Sequence, residues 1–207
     1  MIDISHSVTQ IADRIHEMRA DRKRLIVAIA GAPGSGKSTL AKEIDRRLTS
    51  QKCSSCVVPM DGFHLDNSVL EARGLLTRKG APKTFDAEGF VHLVARLRGG
   101  AEVVYPVFDR SRDIAIAGCG VVEPGTQVVL VEGNYLLFDE APWSGLASLW
   151  DLSVRLDVAL PELRSRLIQR WLNHGLSRTA ATRRAEANDI PNATAVTEHA
   201  LPSDITL

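Results

Sequence analysis

The chain has 207 residues, 44% of them hydrophobic, and its 25 lysines and arginines balance its 25 aspartates and glutamates. This length and composition predict one globular domain over 1–207 and disfavour nucleic acid or a membrane surface as a partner. The sequence shows neither a membrane-spanning apolar run nor a signal-peptide pattern, so we expect a cytoplasmic protein.

The first predicted element is an amphipathic helix over residues 1–23. Its apolar residues recur every three or four positions, which places them on one helical face. Ser7 stands three residues before Gln10, the spacing of a capping box, and this pair is predicted to mark the start of the helix. We expect the helix to pack on the outside of the domain.

A glycine-rich motif lies between an apolar run at 25–30 and a helical pattern that ends near Ser50. Its residues match G-x-x-x-x-G-K-S/T and are Gly31, Ala32, Pro33, Gly34, Ser35, Gly36, Lys37, Ser38 and Thr39. A strand, a glycine loop and a helix form a phosphate-binding loop, because backbone N–H groups turn toward an anion at a helix N-terminus. Lys37 would then reach the β- and γ-phosphates of ATP, and Ser38 would bind Mg²⁺. A flexible Gly/Ser connector is the alternative.

A second strand is predicted at 56–60, and it is preceded by a C-x-x-C pair formed by Cys53 and Cys56. Such a pair is compatible with zinc or redox chemistry, but no second Cys or His pair has the spacing that a closed zinc site needs. We therefore interpret the two cysteines as small apolar residues that lead into a buried strand.

Residues 62–127 are predicted to form a substrate-binding insertion. The predicted elements are a helix, a basic loop, a second helix and two strands, at 66–76, 78–83, 87–98, 102–108 and 114–122. This less regular pattern precedes the third core strand, which is where a substrate-specific lobe would lie.

Strands and helices then alternate again. The predictions are a buried strand at 128–131, a strand at 152–160, a helix from Pro161 to about His174 with Gly175 as its C-cap, an Arg-rich lid at 176–189 and an edge strand at 204–207. The whole pattern predicts an α/β fold with a mainly parallel five-stranded sheet flanked by helices. Ligands of such sheets bind outside the carboxyl ends of the strands.

Two carboxylates follow strands at the same predicted edge as the glycine loop. Glu132 ends an apolar strand, which is the usual place of the carboxylate on the Mg²⁺ side of an NTPase site. Asp61 is a candidate general base that would take a proton from an attacking hydroxyl. The alternatives are a helix cap or a water-facing strand end for Glu132, and a simple turn for Asp61.

Arginines are concentrated in the last third of the chain. Arg166 and Arg170 share one helix face, and arginines there would clamp phosphates as a lid closes. We select Arg170 as a catalytic residue and Arg178 as a nucleotide-binding residue, because they bracket the expected hinge at Gly175. Solvent-facing arginines are the alternative.

Taken together, the chain resembles the uridine kinase, phosphoribulokinase and bacterial pantothenate kinase group of P-loop kinases. Within that group it is most similar to the sugar-kinase-like members known as fructose transport system kinases. The resemblance is carried, in family order, by 31–39, 60–64, 73–76, 79–80, 85–86, 106–108, 131–134 and the helix of Arg170. The series Asp-Gly-Phe, Arg-Gly-Leu, Lys-Gly and Phe-Asp is especially similar to pantothenate kinases.

The resemblance implies an ATP-dependent kinase that phosphorylates a hydroxyl of a small metabolite. It implies Asp61 as the general base and Lys37 as the phosphate-binding lysine. It also implies Ser38 and Glu132 around Mg²⁺, with Arg170 at the transferring phosphoryl group.

The family pattern breaks where the substrate would be recognised. The predicted substrate-binding residues are Asp61, His64, Arg73, Phe108 and Arg110. Uridine kinases carry Tyr and then His where this chain has Phe108 and Asp113, and pantothenate kinases carry Tyr and then His where it has Phe108 and Arg110. Neither substrate can be transferred to this chain. Arg110 and Arg112 suggest an anionic or polyhydroxylated acceptor, or else a solvated hairpin tip.

The favoured prediction is a sugar or polyol kinase. A pantothenate- or nucleoside-type kinase, or a regulatory P-loop protein without turnover, stays as an alternative. The N-K-x-D and D-x-x-G motifs of regulatory GTPases do not occur in the expected places. A small-molecule substrate is the expected partner, and association into a homodimer stays open.

Overall fold

The computed structural model describes residues 4–19 and 22–207. Within them the strands are β1 (Leu25–Gly31), β2 (Ser55–Pro59), β3 (Val103–Asp109), β4 (Ile114–Val122), β5 (Val128–Gly133), β6 (Leu152–Leu156) and β7 (Ile205–Thr206). The helices are α1 (Ser5–Met18), α2 (Lys37–Ser50), α3 (Asn67–Ala72), α4 (Ala87–Leu97), α5 (Leu160–Asn173), α6 (Arg178–Arg184) and α7 (Ile190–Glu198).

The main sheet has five strands in the order β2–β5–β1–β6–β7, and every neighbouring pair is parallel. The predicted α/β fold with a five-stranded parallel sheet is therefore confirmed. All residues of β1 and β5 are buried, because both faces of these central strands are covered. Their continuous apolar sequences are the pattern expected of such strands.

The side chains of β1 divide between two hydrophobic clusters, one on each face of the sheet. Leu25, Val27 and Ile29 pack with α1 and α2, whereas Ile26 and Ala28 pack with α4, α5 and α7. The alternation follows from the two-residue period of a strand. The sheet therefore separates the helix of the glycine loop from the elements that carry the predicted lid.

The first helix differs from its prediction at both ends. It starts at Ser5, and no side chain caps its N-terminus, so the expected capping box at Ser7 does not form. Its buried face, which includes Ile11 and Ile15, places it against α2. The predicted helix also covered residues 1–3 and 20–21, which lie outside the described residues.

Two further boundaries are shorter than predicted. The helix expected at 66–76 ends at Ala72, because the chain turns through Gly74 in the left-handed region with φ 66°. The strand expected at 152–160 ends at Leu156, and α5 begins one residue before Pro161. Proline is tolerated there because the first N–H groups of a helix have no partner within it.

The predicted insertion forms an antiparallel hairpin from β3 and β4, separate from the main sheet. The pairing shifts register between Tyr105 and Val107, as expected around a proline that cannot donate to the ladder. The hairpin packs against the turn after β2, where a Cβ on Gly62 would lie 2.0 Å from the carbonyl oxygen of Pro106. This close approach places the end of the hairpin beside Asp61.

The apolar interpretation of the cysteines holds for Cys53 but only in part for Cys56, because β2 is mostly half-buried rather than buried. Cys53 is buried just before β2, Cys56 lies within β2, and Cys119 is exposed on β4. In the part of the chain that the structure describes, no helix has the length and hydrophobicity that crossing a membrane requires.

Candidate active site

The glycine loop connects β1 to α2 and leaves the first turn of α2 open to an anion. The N-cap of α2 is Gly36, which has φ 100° and provides no side-chain acceptor for the N–H groups of the first turn. The buried hydroxyl of Ser35 also has no hydrogen-bond partner among the described residues. A Cβ on Gly31 would lie 2.7 Å from that hydroxyl oxygen, so glycine is needed for the tight approach. These features suit a bound phosphate group.

Lys37 extends from the start of α2 toward the carboxyl ends of β2 and β5. Its Nζ donates to the carbonyl oxygen of Ala32 at 3.3 Å. Burial lowers the pKa of Lys37, while the negative charges of Glu132 and Asp61 act in the opposite direction. Both predicted carboxylates are thus close enough to the P-loop lysine to act on it.

Glu132 is a buried carboxylate near the end of β5, with 7% of its surface exposed. Burial raises its pKa, while the charge of Lys37 and a hydrogen bond from Ser38 oppose that rise. The hydroxyl of Ser38 and the carboxylate of Glu132 therefore lie side by side. Oxygen donors of this kind, few in number and beside a phosphate site, suit Mg²⁺.

Asp61 lies in a single 3₁₀ turn, residues Met60–Phe63, directly after β2. Its Oδ2 accepts a hydrogen bond from Nη2 of Arg110 at 2.5 Å, and its side chain is 24% exposed. Its charge also affects the pKa of Lys37 and of Glu132. Asp61 is therefore part of the same electrostatic cluster, reachable from solvent, rather than an isolated turn residue.

An aromatic wall lies next to Asp61. The ring centroid of His64 is 4.1 Å from that of Phe85 and 4.6 Å from that of Phe108. His64 Nδ1 lies 2.7 Å from the carbonyl oxygen of Asp61, and since a carbonyl only accepts, Nδ1 carries the proton. Burial lowers the pKa of His64, which favours the neutral ring. Lys79 covers Phe108 with its Nζ 5.1 Å from the ring centroid.

Arg73 is not brought into this cluster. It is exposed after α3 and borders a separate surface cavity of about 280 Å³, which Glu140 and Trp143 also line. Phe85 lines that cavity, and its ring also contacts His64, so Phe85 lies between the cavity and the cluster around Asp61. The early end of α3 at Gly74 is the local reason for the position of Arg73.

The selected lid arginines lie in different surroundings. Arg170 forms an ion pair with Asp189 at 3.3 Å, and its positive charge lowers the pKa of Lys37, so it faces the phosphate site. Arg178 is exposed at the start of α6. Its predicted contact with nucleotide stays a prediction.

Arg166, four residues before Arg170, contacts the loop directly. Its Nη1 donates to the carbonyl oxygens of Gly34 at 3.2 Å and Ser35 at 3.1 Å, and Glu162 pairs with its other nitrogen. A Cβ on Gly34 would lie 3.3 Å from Leu167, so α5 packs against the loop. The i, i+4 spacing predicts the shared face of Arg166 and Arg170, but nothing in the sequence indicates this contact with the loop.

The predicted lid is not uniform along its length. Its last five residues, Ala185–Asp189, form a π-helix that continues from α6 into α7. Asp189 accepts a hydrogen bond from Nε1 of Trp171 at 2.5 Å, and Asn188 donates to the carbonyl oxygen of Lys79 at 2.7 Å. Both polar side chains are buried. The sequence analysis missed them, and the only signal was an adjacent amide and carboxylate in an Arg- and Ala-rich stretch.

Comparison with known proteins places the chain in a family. Residues 26–194 match the family model described as phosphoribulokinase/uridine kinase. The chain is 34% identical to a candidate uridine kinase of Schizosaccharomyces pombe, over 99% of this chain and 91% of that protein. It is 32% identical to a pantothenate kinase of Leifsonia xyli subsp. xyli, over 74% of this chain and 48% of that protein.

A solved structure shows the same fold over nearly its full length. The crystal structure of a candidate fructose transport system kinase from Silicibacter sp. TM1040 superposes with a TM-score of 0.93 at 50% identity, covering 97% of this chain and 98% of that chain. The resemblance predicted from the sequence is confirmed. The chain therefore belongs to the phosphoribulokinase/uridine kinase family, a family of small-molecule kinases with a P-loop fold.

Proposed function

We propose that the protein is an ATP-dependent kinase that transfers the γ-phosphoryl group to a hydroxyl of a small sugar or polyol. The observation that carries this proposal is the convergence of Lys37, at the start of α2, with Glu132 and Asp61, at and after the carboxyl ends of β5 and β2. Lys37 would provide a positive charge for the phosphates of a nucleotide, and Glu132 would provide an oxygen ligand for Mg²⁺. Asp61 adds an accessible carboxylate that a passive nucleotide binder does not require.

The donor side is assigned to the glycine loop and the arginines of α5. Backbone N–H groups of the loop and Lys37 would hold the phosphates of ATP. Arg166 fixes the loop through two carbonyl oxygens. Arg170, held by Asp189, faces Lys37 and would stabilise the negative charge that moves during transfer.

Ser38 and Glu132 are the residues that would hold Mg²⁺. When bound, the ion would supply positive charge that neutralises the negative charge of the phosphates. The charge of Lys37 and a hydrogen bond from Ser38 both act against the rise in the pKa of Glu132, so the two oxygen donors lie close to each other and to the lysine.

The acceptor side is assigned to Asp61 and the insertion at 62–127. In the proposed step, the acceptor oxygen forms a bond to the γ-phosphorus while the bond from that phosphorus to the β,γ-bridging oxygen breaks, which releases ADP. Asp61 takes the proton of the acceptor hydroxyl. The aromatic wall of His64 and Phe108 limits the space beside Asp61 and would exclude water from the reacting atoms.

The preference for a sugar or polyol rests on two observations. The fructose transport system kinase candidate is 50% identical to this chain, whereas the pantothenate kinase is 32% identical over about half its own length. At the acceptor side, Phe108 and Arg110 replace the Tyr and His of pantothenate kinases. A pantothenate- or nucleoside-type kinase is the second candidate, supported by the relatives with those names.

A metabolite panel scored for ADP formation tests the proposal. The panel contains sugars, sugar phosphates, nucleosides, glycerate and pantothenate, and a Lys37→Ala variant purified identically detects contaminating kinases. We expect the best turnover with a sugar-like acceptor and none in the variant. Best turnover with pantothenate or a nucleoside would support the second candidate. ATP binding without turnover on any acceptor would indicate a regulatory P-loop protein.

A further inference from the structure

The β3–β4 turn holds an arginine over the proposed catalytic base. Nη2 of Arg110 lies 2.5 Å from Oδ2 of Asp61, and these residues are 49 positions apart in the chain. The positive charge of Arg110 also acts on Lys37, His64 and Glu132. Its guanidinium group therefore takes part in the cluster, although most of the side chain is exposed to solvent.

Neighbouring side chains hold the backbone of the turn that carries Arg110. Oδ1 of Asp109 accepts hydrogen bonds from the N–H groups of Ser111 at 2.9 Å and Arg112 at 3.2 Å. Beyond them, the carboxylate of Asp113 lies 3.0 Å from Nζ of Lys79, whose side chain is only 9% exposed. The turn is thus anchored to the insertion, whereas the side chain of Arg110 is 68% exposed and bonds to Asp61.

This arrangement conflicts with the role proposed for Asp61 unless Arg110 moves. An acceptor hydroxyl must come within hydrogen-bond distance of the Asp61 carboxylate to give up its proton. The guanidinium group of Arg110 occupies that approach in the free protein. A neutral hydroxyl that takes the place of Arg110 would itself form a charge-assisted hydrogen bond to Asp61, but it would leave the guanidinium group without an anionic partner.

We propose that the acceptor carries an anionic group, a carboxylate or a phosphate, which binds Arg110 and releases Asp61. The inference rests on the proposed function, because it assumes that Asp61 accepts the proton. A second anion offers the guanidinium the same planar, two-point hydrogen bonding that a carboxylate provides. Arg110 then exchanges one anion for another, and the uncovered Asp61 faces the hydroxyl of the same molecule.

The exchange would also let the site discriminate between neutral and anionic acceptors. A neutral polyol that enters the cluster has to compete with Arg110 for the Asp61 carboxylate, so the proton acceptor is available to it for a smaller fraction of the time. An anionic polyol supplies the replacement partner itself. The expected substrate class is therefore a sugar acid or a sugar phosphate, and the two sources of the anion are separated by experiment.

Matched pairs of acceptors test the inference in the full-length protein. We would measure kcat/KM for ADP formation with glycerol against D-glycerate, panthenol against pantothenate, and ribose against ribose 5-phosphate. The first two pairs test a carboxylate and the third tests a phosphate. The enzymes are the wild type, Arg110→Ala, Arg110→Lys and, as a charge-matched control on the exposed face of α4, Arg96→Ala.

We expect the wild type to prefer the anionic member of at least one pair. Arg110→Ala should lower kcat/KM for that member about 10- to 100-fold, the range for losing a charge-assisted hydrogen bond, and raise it for the neutral member, because Asp61 is then uncovered. Arg110→Lys should give an intermediate kcat/KM for the anionic member, since lysine keeps the positive charge but lacks the planar guanidinium group that binds an anion at two points. Arg96→Ala should match the wild type.

Three results would overturn the inference in distinguishable ways. A wild type that prefers neutral members would leave the proposed kinase function standing and refute the anion exchange. An equal loss on both members in Arg110→Ala would show a structural role for the arginine instead. No turnover with any acceptor would refute the proposed function, and this inference with it.

Discussion

Replacing Asp61 with asparagine distinguishes a proton acceptor from a residue that only shapes a turn. Asparagine has nearly the same size, and its amide oxygen can still accept the hydrogen bond from Arg110. It cannot take a proton from an acceptor hydroxyl. The substitution therefore changes the chemistry while keeping the geometry of the turn after β2.

The expected loss follows from the role of a general base. Such a group contributes about 10²–10⁴-fold to the rate, which is about 2.7–5.4 kcal/mol of transition-state stabilisation at about 1.36 kcal/mol per tenfold change. The free energy of unfolding should change far less. The partners of the Asp61–Arg110 ion pair are 24% and 68% exposed, and exposed pairs contribute only about 0.2–1 kcal/mol.

The effect on ATP affinity has a defined sign. The negative charge of Asp61 acts on Lys37 and would repel the phosphates of a bound nucleotide. Removing that charge should leave ATP affinity unchanged or slightly tighter. A slower reaction with unweakened nucleotide binding is therefore the signature of a group that acts on the acceptor.

The assay combines an ATP titration with turnover on the best acceptor of the panel. Asp13→Asn, at an exposed position of α1, provides a charge-matched control and should behave as the wild type. Thermal unfolding of both variants checks that the fold is intact. Wild-type turnover in Asp61→Asn would show that Asp61 is a turn residue and that the catalytic assignment is incorrect.

Further predictions concern the loop, the lid and the cysteines. Lys37→Ala should weaken ATP binding and slow transfer about 10²–10³-fold, because one positive charge is lost while the backbone N–H groups of the loop remain. Titration with ATP and the rate of ADP release measure the two effects. Arg166→Ala should raise KM for ATP about tenfold with a smaller effect on kcat, since it frees the two loop carbonyls. Residues 176–184 should exchange amide hydrogens faster than the anchored π-helix, and a non-hydrolysable ATP analogue should slow that exchange. Burial raises the pKa of Cys56 to about 11, so iodoacetamide at neutral pH should label the exposed Cys119 and not Cys56, as read by mass spectrometry.

Each of these predictions has a contrary result. Unchanged turnover in Lys37→Ala would refute the phosphate-loop assignment, and a loss confined to kcat in Arg166→Ala would refute its role in holding the loop. Equal exchange across the lid segment, with and without the analogue, would argue against gating. Rapid labelling of Cys56 would show that β2 opens far more often than its burial implies.

The sequence by itself determined the elements and most of the chemistry at the strand ends. The apolar runs of β1 and β5 predicted central parallel strands, since only a strand buried on both faces is apolar at every position. The glycine motif between a strand and a helix predicted the loop. The convergence of Lys37, Asp61 and Glu132 follows because parallel strands place their carboxyl ends at one edge of the sheet.

Element boundaries and caps depended on the tertiary structure. The start of α1 at Ser5 reflects its packing against α2 rather than a local side-chain cap, so the capping-box pattern at Ser7 was misleading. Likewise, motif order alone groups Arg73 with the acceptor residues, although the short α3 leaves it beside a different cavity. Local patterns are overridden where burial of a helix face outweighs a single hydrogen bond.

Only the tertiary structure decided which charged side chains meet. Arg110 reaches Asp61 across 49 positions because the β3–β4 hairpin packs against Gly62. Arg166 reaches the loop carbonyls across 131 and 132 positions because α5 packs on Gly34. The strand order β2–β5–β1–β6–β7 could not be predicted from the sequence either, since an apolar strand sequence does not specify which other strand pairs with it. Contacts between distant residues depend on how whole elements pack, and periodicity within one element carries no information about its partner.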